Sequence, residues 1–92
     1  MTGSFTILCA IAATLDEVKE APESALWLLF MSDLSLNEFQ KIIEVLISMG
    51  ICRVSGHLVI FTEPATESAS GLFLTEVRRH VTARHAASSE LN

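Results

Sequence analysis

Three histidines, two cysteines and a group of arginines are the residues whose chemistry bears weighing first. His80 and His85 stand five apart on a stretch with helical periodicity, so they fall on different faces. Helical metal pairs use the i, i+4 spacing, which brings both imidazoles to one side. Cys52 and His57 flank Ser55-Gly56 and can in principle share a metal, but two ligands without a third or fourth are a weak signal. Cys9 and Cys52 have 42 residues between them and belong to no C-x-x-C pair. Both sit among apolar neighbours, as buried reduced thiols do. Asp16 and Glu17 are adjacent carboxylates, and nothing suggests that they share a proton. The glycines Gly3, Gly50, Gly56 and Gly71 are scattered and form no phosphate-cradling loop. No Ser-His-Asp signature is present. The reading is of a protein with no catalytic residues, no metal and no cofactor. Arg78, Arg79 and Arg84 are the one cationic cluster, a candidate for phosphate contact or for an interface. The plainer reading is a solvated helix face, with Glu76 and His80 as neighbours.

Composition narrows the field. The chain has 92 residues, enough for one domain and one core. Half of it is hydrophobic, 18% is charged, and the mean hydropathy is +0.46. That excludes an intrinsically disordered chain. It also leaves more apolar surface than so small a protein hides easily, which predicts an oligomer or a partner. The net charge of −5 is uneven. Residues 1–50 carry two lysines against seven acids, a net −5, while residues 51–92 carry four arginines against four glutamates and are neutral. An acidic chain argues against indiscriminate nucleic-acid binding, which relies on a basic surface. The apolar run 5–15 has no basic residue before it, so a secretory signal is not expected. The run 25–31 is far short of the roughly 20 residues that span a bilayer. With two unpaired cysteines, the cytoplasm is the expected compartment.

These residues need elements to position them. Ile7, Leu8, Ile11 and Leu15 fit one helical face, predicting a helix over 5–13. Thr14-Leu15-Asp16-Glu17 has the form of a capping box and predicts a short turn of helix over 15–20. Pro22 and Glu23 suit the start of a second helix, 22–31, with Leu26, Leu29 and Phe30 inward and Trp27 towards another side. Ser35-Leu36-Asn37-Glu38 is a second capping box, with Leu34 and Phe39 placed as a hydrophobic staple. Behind it Leu36, Phe39, Ile43, Leu46 and Ile47 make an apolar stripe, widened by Ile42, and Asn37, Lys41, Glu44 and Ser48 a polar one. Gly50 stands where a glycine cap belongs, which predicts a helix over 36–49. Residues 51–54 and 57–62 then read as two strands joined by Ser55-Gly56. The second is apolar on both faces, as a strand covered on both sides is. Residues 63–71 read as an exposed loop, Leu72-Phe73-Leu74 as a strand extension or a helix opening, and 75–87 as a helix. Residues 88–92 read as a frayed tail, leaving 1–87 as the single domain.

This order, α+β with three N-terminal helices, a two-stranded hairpin wing and a C-terminal helix, resembles the winged helix-turn-helix domain of small bacterial and archaeal regulators. Residues 23–31 correspond to the first helix of the unit, Ser32-Asp33-Leu34 to the turn and 35–49 to the recognition helix. Leu46-Ile47-Ser48-Met49-Gly50-Ile51 resembles the family's passage into the first wing strand, and Arg53-Val54-Ser55-Gly56-His57-Leu58 the wing. Leu72-Phe73-Leu74-Thr75-Glu76 resembles the passage into a dimerisation helix. The likeness covers roughly residues 5–85. It implies a homodimeric transcriptional regulator in which Ser35, Asn37, Gln40 and Lys41 enter the major groove of double-stranded DNA. Arg53 and His57 then touch the backbone from the wing. The sequence departs from such a reader, because Glu38 and Glu44 share the stripe with its single cation, Lys41. The alternative is a protein-interaction or oligomerisation module on the same scaffold, without DNA binding, that presents strand 58–61 and the outer part of helix 22–31 to a protein partner.

Overall fold

The structure is a computed structural model that describes residues 4–90, with side chains described for 5–81. It is α+β: four helices and one three-stranded antiparallel sheet, in the order α1(Ser4–Val18), β1(Glu20–Pro22), α2(Glu23–Phe30), α3(Leu36–Ser48), β2(Cys52–Ser55), β3(Leu58–Phe61), α4(Ala69–Glu90). The layout fits a winged helix, with one more strand than the sequence suggested.

Helix α1 buries Ile7, Ile11 and Leu15, the predicted face, together with Ala12. The expected break at Thr14 does not occur. The Thr14 Oγ1 donates to the Ala10 carbonyl at 2.8 Å, a mid-helix bond rather than a cap, and the helix runs on to Val18. It closes at Lys19, whose φ of 72° is left-handed and uncommon for a residue with a side chain. The chain then pairs with β3 through β1, with Glu20 opposite Ile60, Ala21 opposite Val59 and Pro22 opposite Leu58. The expected two-stranded hairpin is therefore a sheet of order β1-β3-β2. Proline fits here because β1 is an edge strand.

Helix α2 is packed on a different face from the one expected. Leu26 is buried and Phe30 half-buried, but Leu29 points to solvent. Trp27 takes the inner place, with its ring 5.6 Å from that of Phe39. Helix α3 follows its sequence signals closely at both ends. The Glu38 N–H donates to Ser35 Oγ at 3.2 Å, and the Ser35 N–H donates to Glu38 Oε1 at 3.0 Å. Leu34 and Phe39 are both buried, as a staple requires. At the other end Gly50 has φ of 76°. Its N–H donates to Ile47 O, and that of Ile51 to Leu46 O, each at 3.0 Å, the bond pair of a Schellman motif. The core stripe is Phe39, Ile43 and Leu46, with Ile42 half-buried; Leu36 and Ile47 lie on its flank and remain exposed.

The β2–β3 hairpin turns at Gly56, φ 62°. Cys52 and Val59 are buried on the inner face, and Phe61 packs there too. Alternation sends Arg53, Ile60, Ser55 and Leu58 to the outer face. Thr62 ties the hairpin base to the end of α3: its N–H donates to Ile51 O at 2.8 Å and its Oγ1 to Gly50 O at 2.7 Å. The connector to α4 is shorter than the loop expected over 63–71. Ser68 starts the helix by accepting from the Gly71 N–H at 3.0 Å, so Leu72-Phe73-Leu74 is already helical. Gly71 is buried against this connector; a Cβ there would collide with the backbone of Ala65 and Thr66. The helix continues through Glu90, three residues beyond the expected end at 87. Most of the proposed tail 88–92 is thus helical backbone, and 91–92 lie outside the described residues.

Candidate interaction surfaces

The capping box and staple fix where α3 starts, and so which side chains it turns outward. Ser35, Asn37, Gln40 and Lys41 are all exposed, as the recognition-helix reading requires. Ser35 is already committed to the cap. Glu38 is held by the same box, and its two bonds to Ser35 draw the carboxyl below its ordinary pKa, keeping it anionic. Asn37, Lys41, Glu44 and Ser48 form the outward stripe. One cation and one anion therefore cancel along it, and Leu36, Val45 and Ile47 are exposed on either side.

Arg53 and His57 are exposed on the wing. Arg53 stands opposite Ile60 on the outer sheet face. His57 lies beside the turn, and its carbonyl accepts from the Glu23 N–H at 2.8 Å. Cys52 is opposite Phe61, at the end of the hairpin away from His57, so the two are not brought together. Cys52 is buried, and desolvation pushes its thiol up to about 11; the same cause raises Cys9 less strongly. Both thiols are thereby poor nucleophiles. No group of three or more His, Cys, Asp or Glu converges among the described residues.

The arginine cluster is divided. Arg78 is turned inward across the α1–α4 junction. Its Nε donates to Asp16 Oδ2 at 2.8 Å and its Nη2 to Asp16 Oδ1 at 2.7 Å, a two-pronged clamp, and Nη2 also donates to Glu63 Oε1 at 2.9 Å. Lys19 joins from the other side, with Nζ 3.0 Å from Asp16 Oδ1 and 4.5 Å from the centre of the Phe61 ring. The Arg78 bonds, against an opposing effect of burial and with a further contribution from Lys19, bring the Asp16 carboxyl down to about 2. The paired carboxylates raise Arg78 in turn. Arg78 is thus a structural tie and is not free for phosphate. Arg79 is exposed and lies 3.2 Å from Glu76 one turn away. The Arg84 side chain lies outside the described residues.

Two apolar surfaces stand out, the second of them on the outer part of the helix that the sequence offered to a partner. An open groove of about 580 Å³ runs between α1 and α4, lined by Phe5, Cys9, Phe73, Val77 and Val81, with Glu76 and His80 as polar neighbours. Phe5 and Phe73 meet edge-on at 6.2 Å in it. The second surface is the outer side of α2. Leu28 is 62% exposed, Leu29 65% and Met31 53%. Helical spacing puts Ala25, Leu28 and Leu29 on one stripe. Among the described residues no helix is long and apolar enough to cross a membrane.

Comparison with protein-family models, with curated proteins and with solved structures found no match to this chain.

Proposed function

We propose that this chain is a non-enzymatic protein-interaction module on a winged-helix scaffold, acting as a homodimer. One observation carries the reading: the surface that a winged helix offers to DNA here has no net positive charge, with Glu38 and Glu44 against Lys41 and Arg53, and exposes Leu36, Val45 and Ile47. Of the described cations, Lys19, Arg78 and Arg79 have carboxylate partners within the chain, and only Lys41 and Arg53 are outward without one. Phosphate neutralisation supplies most of the affinity for DNA, and two scattered cations among the described residues supply little of it. Exposed leucines need burial, which a protein surface offers and a phosphate backbone does not. The dimer reading is supported by the α1–α4 groove. Helix α4 has 22 residues against 15 in α1, so it outreaches the helix it packs on. A lone helix segment is marginal in water, and a second copy's α4 would cover both overhang and groove.

The second reading, a DNA-binding transcriptional regulator, is favoured by the capped α3 with Asn37, Gln40 and Lys41 outward, beside a wing carrying Arg53 and His57. Titration of labelled mixed-sequence duplex at low salt, with light scattering on the same sample, separates the two. The interaction-module reading expects a dimer and no duplex binding. Binding that falls steeply with salt and is lost in Lys41→Ala and Arg53→Ala would establish the regulator instead. A chain that stays monomeric at high concentration would remove the dimer.

A further inference from the structure

We propose that the outer face of the β1-β3-β2 sheet is a contact surface for a second copy of this chain, separate from the α1–α4 groove. Strand β3 is apolar on both faces, and the core covers only one. Val59 and Phe61 pack inward; Leu58 and Ile60 are half-buried, and neither is among the side chains packed against the core. The register fixes their company. Ile60 stands between Glu20 of β1 and Arg53 of β2, and Leu58 between Pro22 and Ser55. Directly opposite residues share a face, so these side chains are all on the outer side. Glu20, Pro22, Arg53 and Ser55 are exposed. Among the described residues neither Glu20 nor Arg53 forms an ion pair. The face is an apolar centre with an acid on one edge and a cation on the other, each one strand, about 4.8 Å, from Ile60.

This arrangement is complementary to itself. When two such faces stack about a two-fold axis lying along β3, left and right exchange, and Glu20 of each copy comes over Arg53 of the other. Ile60 then meets Ile60, and Leu58 meets Leu58, on the axis. Stacked sheets lie about 10 Å apart, a gap that an arginine and a glutamate side chain span together. An axis running across the strands would instead put Glu20 over Glu20 and Arg53 over Arg53, and like charges across an interface repel. The charge pattern therefore selects a second copy whose strands run in the same direction. Duplex DNA and anionic lipid call for a surplus of cations, and this face carries one charge of each sign. The strands over residues 20–22, 53–55 and 58–60 span about 150 Å², against the roughly 800 Å² that each partner buries in a standard interface. The contact is accordingly weak, and it adds to the groove dimer at high concentration.

The test is sedimentation equilibrium of the full chain from micromolar to millimolar concentration, with Glu20→Arg, Arg53→Glu and the double variant. Both positions are exposed on edge strands, so the melting temperature should hold in all of them. The wild type should gain mass towards the top of the range. Each single variant sets like charges across the axis at both ends of the face, and should weaken this step about tenfold or more. The double variant restores opposite pairs and should associate as the wild type does. So should an equimolar mixture of the two single variants, because each then supplies the charge that the other lacks. No pairing within one chain can produce that last result. Single variants that associate like the wild type would overturn the proposal, as would a mixture that gains nothing over its components. A tight dimer indifferent to every variant keeps the groove reading and removes the sheet contact. A chain that is monomeric when dilute, and associates only in answer to these charges, removes the groove dimer and keeps the sheet contact.

Discussion

At the junction of α1 and α4, the four charged groups Asp16, Lys19, Glu63 and Arg78 are joined in one network. On the outer face of α2, Leu28 and Leu29 have no cover, and among the described residues Glu20, Glu23 and Asp33 form no ion pair. The first region has spent its charge on holding two helices together. The second has kept its apolar surface outward. Arginines counted in a sequence say little about binding until their carboxylates have been found. Here the most promising arginine is a tie between elements.

The comparison can be attacked from both sides. The largest effect is expected beneath α2, at Phe39, which is fully buried and supports Trp27. Phe39→Ala should lose about 3–5 kcal/mol in urea unfolding. Trp27 emission should shift to the red in the still-folded fraction, because its ring loses its packing partner. If stability falls by less than about 1 kcal/mol, the α2–α3 unit does not rest on this contact.

The next effect is at the α3 cap. Ser35→Ala removes the acceptor for the Glu38 N–H and should cost about 1 kcal/mol. Urea unfolding checks it, and Ser35→Asp should recover most of the loss. No change in Ser35→Ala would mean that α3 is set by the staple alone.

The smallest effect is expected at the clamp. Both partners are partly exposed, Arg78 at 41%, so water screens the pair. Arg78→Met should cost about 1 kcal/mol or less near neutral pH. Its pH dependence is the sharper readout. The folded-state pKa of Asp16 lies below its ordinary 3.8, at about 2. The clamp's stabilisation is therefore complete above 3.8 and is lost as pH falls towards 2. Urea midpoints of wild type and Arg78→Met should differ at neutral pH and converge in strong acid. A difference that persists unchanged in acid would mean that Arg78 stabilises through packing of its stem rather than through Asp16.

Helix α3 was legible at both ends because its signals are local: a capping box within four residues, a glycine at the close, a stripe of fixed period. The hairpin was legible for the same reason, since Ser55-Gly56 marks its own turn. What was hidden depends on distant partners. Glu20-Ala21-Pro22 has no strand character of its own and becomes β1 only by pairing with β3. The face of α2 could not be phased from sequence, because an eight-residue helix with apolar side chains all round has no single stripe. Leu29 and Trp27 accordingly exchanged places. The start of α4 could have been read from Ser68 as a cap, had the small residues after it not looked like a loop. Asp16 and Arg78 are 62 residues apart, and no local pattern announces their clamp. The outward positions of Ser35, Asn37, Gln40, Lys41, Arg53 and His57 were anticipated.

Gly71 bears on how this chain can be engineered. Small polar connectors are the usual places to splice in a tag or a second domain, and residues 62–68 have that composition. Here the connector lies flat on the first turn of α4, against a glycine with no room for a side chain. An insertion after Ala65 would lift that segment and unseat the start of the longest helix. The hairpin tip at Ser55 and Gly56 is exposed, and no neighbour lies within 4 Å of where a Gly56 side chain would begin. It is the better splice site, and a permuted or tagged chain opened there keeps both the clamp and the α2 face.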